Sequence, residues 1–223
     1  MSLKDKIKKD SEVVGINQGS DMFQFSKSGD YRFRILTEPE AIATHFFGKG
    51  VASSVCYGIE KGCPFHVEHE NASLKYIVYL IDRADGKVKL GELPYSVISA
   101  VSDFEEDEDY KFDSYPMPYD IKVKCDKENK DPKQIYKTFA APNRSELTVE
   151  EVEGLSDKLN KITPVDFVQK RKDKAIQTHK ESGLWQKEQD RKAKLKEDLD
   201  KVRGSAADQG YDYPESYGEE IPF

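Results

Sequence analysis

The sequence has few cysteines and lacks any apolar run long enough to cross a membrane. Three cysteines do not make the disulfide framework of a small secreted protein, and Met1–Lys6 lacks the apolar stretch of a secretory signal. The chain also lacks a Gly-rich phosphate loop and a recognisable nucleophile with its base. We therefore expect a soluble, cytoplasmic protein that does not bind membranes and is not an enzyme.

Residues 204–223 contain no Lys or Arg, although they hold five of the 42 acidic residues. The formal charge of the whole chain is −7, so the remainder is close to neutral and local patches must decide what it binds. A segment of this composition is expected to be disordered. It nevertheless ends in Ile221, Pro222 and Phe223, which we expect to dock on partner proteins; the alternative is a frayed terminus with an incidental Phe.

Composition divides the rest of the chain into three parts. Residues 1–20 are polar and rich in lysine, which predicts a basic arm. Residues 21–146 carry strand patterns, interrupted at about 40–73 by an insertion rich in His and Cys. Residues 147–203 show helical patterns that begin with a capping box at Thr148. We expect this helical extension to pack loosely on the strand domain or to project from it.

Alternating apolar residues predict five strands with a helix after the third. Tyr31, Phe33 and Ile35 alternate with polar residues in the first strand, and Asp85-Gly86 predicts a two-residue hairpin turn between the second and third. The later elements are predicted at 74–82, 87–90, 93–104 (the helix), 119–124 and 134–140. This order is typical of the OB fold, a five-stranded Greek-key barrel. An unrelated mixed sheet with a flanking helix is the alternative.

The insertion holds three of the four histidines and two of the three cysteines. Cys63 and His66 lie on one tight turn. Cys56 comes from a preceding loop, and His45 leaves the first strand. Together these residues predict a closed, structural zinc site whose binding energy orders a loop too short for its own core. His45 and His69 compete for one place in the set, with His45 preferred, and the alternative is surface histidines with small buried cysteines.

These parts together resemble the single-stranded DNA-binding, or helix-destabilising, proteins of phages. The order His45, Cys56, Cys63, His66 is similar to the His-Cys-Cys-Cys zinc set of that family, with His in the last place here. Segments 45–50, 63–66 and 82–86 look like those of phage proteins of this class. The Ile-Pro-Phe end resembles the tip of bacterial single-stranded DNA-binding proteins.

The resemblance implies an OB-fold barrel with an inserted zinc module, C-terminal helices and a disordered acidic tail. It implies a role in phage DNA replication, recombination and repair in the host cytoplasm, by coating single-stranded DNA without sequence preference. The tip would recruit replication and recombination proteins, and the basic arm would support cooperative self-association. In the free protein, the acidic residues of the tail are expected to compete with DNA for the DNA-binding groove.

Binding of single strands needs cations that follow the phosphates and aromatic faces on which bases stack. The cations predicted to contact phosphates are Arg32, Arg34, Lys75, Arg83, Lys87, Lys89, Lys122, Lys124 and Lys137. The aromatic residues predicted to stack are Tyr79, Tyr115, Tyr136 and Phe139, with Phe46, Phe47 and Tyr57 of the insertion lining one lip. Tyr31, Phe33, Tyr76 and Cys125 are expected to pack, and His179 to be solvated. The alternative functions are a zinc-containing protein-interaction or transcription-accessory module and, less favoured, a metal-dependent nuclease.

Overall fold

The computed structural model describes residues 22–46, 53–58, 60–65 and 72–208. Its strands are β1 (Met22–Phe23), β2 (Gly29–Ile35), β3 (Glu40–His45), β4 (Ser54–Val55), β5 (Ser73–Asp82), β6 (Lys87–Pro94), β7 (Tyr119–Cys125) and β8 (Tyr136–Arg144). Its helices are α1 (Tyr95–Glu106), α2 (Val149–Leu159), α3 (Pro164–Glu181) and α4 (Leu184–Asp208). The described residues of Met1–Thr44 and Ser73–Arg171 form one compact unit, and those of His45–Ala72 and Lys172–Phe223 form a second.

The first unit is built on a mostly antiparallel sheet with the strand order β1-β6-β5-β2-β7-β8, and β3 pairs with β5. The central strand β2 lies between β5 and β7, as the alternation of its side chains on two faces allows. The turn between β5 and β6 spans residues 83–86, because Asp82 pairs with Lys87. The predicted two-residue turn is therefore wrong in length, although Gly86 supplies the positive φ, 68°, that closes it.

The sheet is open, and the prediction of a closed five-stranded barrel is wrong. The five predicted strands and the helix after the third are present in the expected order. Closure would require β6 to pair with β8, and no such pairing occurs among the described residues. The free edge of β6 is instead occupied by β1, which pairs in parallel through Met22 and Phe23 opposite Leu90 and Gly91. At Leu90 and Gly91 this edge of β6 is therefore not available to β8.

The core of the first unit packs one face of this sheet against α1. Val97 and Val101, one helical turn apart, form the buried stripe of α1. Phe33 is fully buried, with the rings of Phe23 and Phe25 at centroid distances of 5.1 and 6.2 Å. Its predicted place in the core is confirmed. Cys125 is also buried in this cluster, while Tyr31 and Tyr76 are half-buried.

The first helix that follows the sheet, α2, begins where the sequence predicts. The Thr148 side chain accepts a hydrogen bond from the Glu151 amide at 3.3 Å, and the Glu151 carboxylate accepts one from the Thr148 amide at 2.9 Å. This reciprocal pair is the predicted capping box of α2. Among the described residues, no helix has the length and apolar character needed to cross a membrane.

Replacing Thr148 with Ala is expected to lower the free energy of unfolding by about 1 kcal/mol, because the first turn of α2 loses a hydrogen-bond acceptor for its free amides. Urea denaturation followed by circular dichroism measures this change. The exposed Val152→Ala substitution in the same helix is the control and should change stability by less than about 0.5 kcal/mol. Equal losses in the two variants would contradict a capping role.

The sequence predicts a basic arm and an acidic tail at the two ends of the chain. Residues 1–20 and the tip Ile221–Phe223 lie outside the described residues. Helix α4, however, continues to Asp208, five residues into the segment predicted to be disordered from 204. Ala206 and Ala207 explain the difference, because alanine has the highest intrinsic helix propensity.

Candidate metal centre and nucleic-acid interface

Three of the four predicted metal ligands meet within the second unit. His45 is the last residue of β3, Cys56 directly follows β4, and Cys63 lies in a turn whose Gly62 has a φ of 76°. All three side chains are buried, and their ligand atoms lie within 4.8 Å of one another. The Nε2 atom of His45 is 3.4 Å from the Sγ atom of Cys63. None of the three cysteines of the chain forms a disulfide bond.

The two cysteines of this cluster differ in their readiness to ionise. A hydrogen bond from Cys56, supported by the backbone amides of Phe65 and Tyr57, lowers the pKa of Cys63 to about 5 although burial opposes ionisation. The same side-chain hydrogen bond and burial raise the pKa of Cys56. The lowered pKa favours the thiolate of Cys63, and the thiolate is the form that binds metals.

The donor set fits a tetrahedral metal ion. Two thiol groups and an imidazole are ligands that zinc accepts, and Zn–S and Zn–N bonds in tetrahedral geometry place the S and N atoms about 3.6 Å apart. The observed separation of Cys63 Sγ and His45 Nε2 is close to that value. His66 and His69, the predicted and alternative histidine ligands, lie outside the described residues. The structure therefore brings together three possible ligands: His45, Cys56 and Cys63.

His179 is buried beside this cluster, so the prediction that it is solvated is wrong. It is 5% exposed, and its ring nitrogens lie within hydrogen-bonding distance of the hydroxyl groups of Ser54 and Tyr57. Burial lowers its pKa, which keeps the ring neutral at pH 7. Tyr57 is buried as well, so its ring is not accessible to a ligand. Of the other two aromatic residues predicted to line one lip, Phe46 is exposed and Phe47 lies outside the described residues.

Five exposed members of the predicted nucleic-acid contacts share one face of the first unit's sheet, in strands β2, β7 and β8. In the strand register, Arg32 lies opposite Lys122, which lies opposite Phe139, and Lys124 lies opposite Lys137. Because side chains alternate between the two faces of a strand, all five project from the face opposite the core. We call Arg32, Lys122, Lys124, Lys137 and Phe139 the basic face.

A shallow groove of about 460 Å³ runs over the basic face. Its lining comprises Asp30, Tyr31, Arg32, Lys122, Val123, Lys124 and Phe139. Phe139 is 46% exposed, which is unusual because phenylalanine side chains are mostly buried in protein cores. The groove therefore combines solvent-exposed cations with an accessible aromatic ring.

A carboxylate that sequence reasoning missed lies at one end of the basic face. Asp120 is buried and accepts hydrogen bonds from Arg32 Nε at 2.7 Å, Arg34 Nε at 3.0 Å and Arg83 Nη2 at 3.0 Å. Burial opposes its ionisation, but the hydrogen bonds and charges of these arginines hold the pKa of Asp120 below its ordinary value. Arg83 also pairs with Glu151 of α2. The cluster thus carries three positive and two negative charges.

The three arginines of this cluster differ in what they offer to a ligand. Arg34, predicted to contact nucleic acid, is only 2% exposed and also donates to the Ser145 hydroxyl and carbonyl. Its guanidinium group is therefore bound within the protein and is not available to a ligand. Arg83 is mostly covered by its two carboxylate partners. The side chain of Arg32 is 51% exposed and is the most accessible of the three arginines.

The remaining predicted contacts are scattered. Tyr79 is buried and its hydroxyl donates to the Ile162 carbonyl, so its ring has no face free for stacking. Lys75 pairs with Glu92, and Lys89 pairs with Asp82. The rest are Lys87, which is exposed in β6, and Tyr115 and Tyr136, which are half-buried against the core. Lys75 and Tyr136 line a second groove together with Tyr95, an exposed ring that the sequence analysis did not single out.

The chain matches no known protein family, no curated protein and no solved structure. The arrangement of its own residues therefore carries the functional argument.

Proposed function

We propose that this protein binds single-stranded DNA without sequence preference on its basic face. The observation that carries the proposal is the row formed by Arg32, Lys122 and the exposed ring of Phe139 across three adjacent strands. Single-strand binders need this combination, because cations follow the phosphates while an aromatic ring stacks on a base whatever its identity.

The connectivity of the sheet supports the same proposal. The pairing order β6-β5-β2-β7-β8, with a helix between β6 and β7, corresponds to an OB-type sheet left open between its third and fifth strands. We place the protein with the phage single-stranded DNA-binding proteins, acting in replication, recombination and repair. In this proposal the Ile221–Phe223 tip recruits partner proteins, and the basic arm mediates cooperative binding.

The cluster of His45, Cys56 and Cys63 is proposed to hold a structural zinc ion, with His66 or His69 as the fourth ligand. A closed set of four protein ligands leaves no open position for a substrate, as structural zinc sites require. When bound, zinc supplies binding energy that stabilises the loop carrying these residues. The residues themselves provide a preformed, buried set of donors.

The proposed function is tested by titrating fluorescently labelled oligo(dT), the matching duplex and single-stranded RNA with the protein at several salt concentrations. We expect the protein to bind oligo(dT) more tightly than duplex. The logarithm of its binding constant should fall linearly with the logarithm of salt concentration, with a slope of about −0.7 per neutralised phosphate. Binding that ignores salt, or that favours duplex, would contradict the proposal.

Lys122→Glu is expected to weaken binding to oligo(dT) by about tenfold or more at low salt and to flatten the salt dependence, because it removes a phosphate contact and adds repulsion. Phe139→Ala should weaken binding by about 5- to 150-fold without changing the salt slope, because stacking releases no counterions. The exposed Lys161→Glu variant, at a residue that does not line the groove, is the matched charge control. If it lost as much affinity as Lys122→Glu, net charge rather than the basic face would govern binding.

A further inference from the structure

His179 contacts the segment around Cys56 on both sides. The Nε2 atom of His179 lies 2.9 Å from the Ser54 hydroxyl, and its Nδ1 atom lies 3.1 Å from the Tyr57 hydroxyl. Ser54 precedes Cys56 by two residues, and Tyr57 follows it directly. A single ring in residues 172–181 of α3 therefore contacts side chains on either side of one candidate ligand.

The same ring also reaches the other two candidate ligands through Phe65. The rings of Phe65 and His179 meet edge to face with centroids 4.8 Å apart, and the ring of Phe65 also lies 5.6 Å from that of His45. Phe65 follows Cys63 by two residues, within the same turn. The contacts of His179 thus extend to the segments of all three candidate ligands.

We propose that His179 positions the metal ligands and thereby couples metal occupancy to the order of residues 172–181. The inference rests on the proposed zinc site. Residues outside the coordination shell that orient the ligands commonly contribute 10- to 100-fold to metal affinity. Because coupling between two equilibria is reciprocal, a helix that supports metal binding must itself be stabilised when the metal binds.

Simple filling of space does not explain a histidine at this position. A buried polar ring costs free energy unless its nitrogens are hydrogen-bonded, whereas an apolar side chain of similar size would fill the space at no such cost. Both nitrogens of His179 have hydroxyl partners, and each partner lies next to or near a ligand. The ring therefore specifies the orientation of Ser54 and Tyr57, which packing alone would leave undetermined.

The test measures Zn²⁺ affinity of the full-length protein by competition with a chromophoric chelator. We expect His179→Ala to weaken Zn²⁺ binding by about 10- to 100-fold. Thr178→Ala, an exposed neighbour on the same helix, should bind Zn²⁺ within about twofold of the parent. Tyr57→Phe removes one hydroxyl and keeps the ring, so it should cause a smaller loss of Zn²⁺ affinity. This second variant keeps the inference testable if His179→Ala does not fold.

Hydrogen exchange supplies the second readout. Adding Zn²⁺ to the parent protein should slow amide exchange in residues 172–181, and in His179→Ala this protection should be lost, with α2 of the first unit as internal reference. Parent-like Zn²⁺ affinity in both His179→Ala and Tyr57→Phe would overturn the inference while leaving the zinc site intact. Failure of the parent protein to bind Zn²⁺ would overturn the zinc site as well, and the oligo(dT) titration would be unaffected by either result.

Discussion

Asp120→Asn is expected to lower the free energy of unfolding by about 3–5 kcal/mol, the cost of breaking a buried ion pair from one side. The substitution keeps the shape of the side chain but removes the charge that three guanidinium groups share. Arg34 suffers most, because it is almost fully buried and loses the negative charge of its carboxylate partner, while hydrogen bonds to Ser145 and to the amide oxygen of Asn supply no compensating charge. Urea denaturation at pH 7 measures the loss.

Asp30→Asn is the matched control for this variant. Asp30 lies in β2 opposite Lys124 in the strand register, but its side chain is exposed. Removal of its charge should therefore change the free energy of unfolding by less than about 0.5 kcal/mol. If Asp120→Asn cost no more than Asp30→Asn, the cluster of arginines would be stabilised by something other than this carboxylate.

The same cluster predicts a dependence on pH. The pKa of Asp120 is lower in the folded protein than in the unfolded chain, where it is about 3.9. Its contribution to stability is therefore complete above that unfolded value and is lost as the pH falls through the lower folded value. Unfolding free energy should drop in acid more steeply in the parent protein than in Asp120→Asn, which has no carboxyl to protonate at that position.

Cys63→Ser is expected to abolish stoichiometric zinc binding and to destabilise the second unit by several kcal/mol, because the binding energy of a structural zinc ion is folding energy. Metal content of the purified protein by elemental analysis gives the first readout. Limited proteolysis within residues 53–65 gives the second, since a loop without its metal should be cleaved faster.

Cys125→Ser makes the same substitution at a buried cysteine in β7, remote in function from the candidate metal site. It should lose stability through its buried hydroxyl but keep one zinc ion per chain. A zinc content that fell equally in the two variants would show that metal loss follows from general destabilisation rather than from the loss of a ligand.

Local patterns in the sequence predicted much of the fold. The alternation of Tyr31, Phe33 and Ile35 identified β2, and the Thr148 capping box located α2, because both signals lie within a few neighbouring residues. Closure of the barrel could not be judged in this way. The strand that occupies the edge of β6 is only two residues long, Met22–Phe23, and two residues carry no periodicity.

The candidate sites show the same difference between features that local sequence signals reveal and features that depend on distant residues. His45, Cys56 and Cys63 were identified because rare metal-binding residues cluster within a short insertion. Asp120 and His179 were missed because their partners are far away in the sequence: Arg32 is 88 residues from Asp120, and Tyr57 is 122 residues from His179. Arg32 and Arg34 alternate with apolar residues in one strand, so sequence alone did not distinguish the half-exposed arginine from the buried one.

The central position of β2 also constrains how the chain folds during its synthesis. Its partner strand β7 emerges much later, because Asp120, the second residue of β7, lies 88 residues after Arg32. At about 5–20 residues per second, a ribosome needs roughly 4–18 s to make that stretch. Throughout this interval one edge of β2 has no strand to pair with. The apolar side chains of Phe33 and Ile35 also lack the part of the core that β7 supplies. The nascent protein is therefore most vulnerable to misassociation before β7 emerges, and we expect β2 to be the segment that chaperones protect.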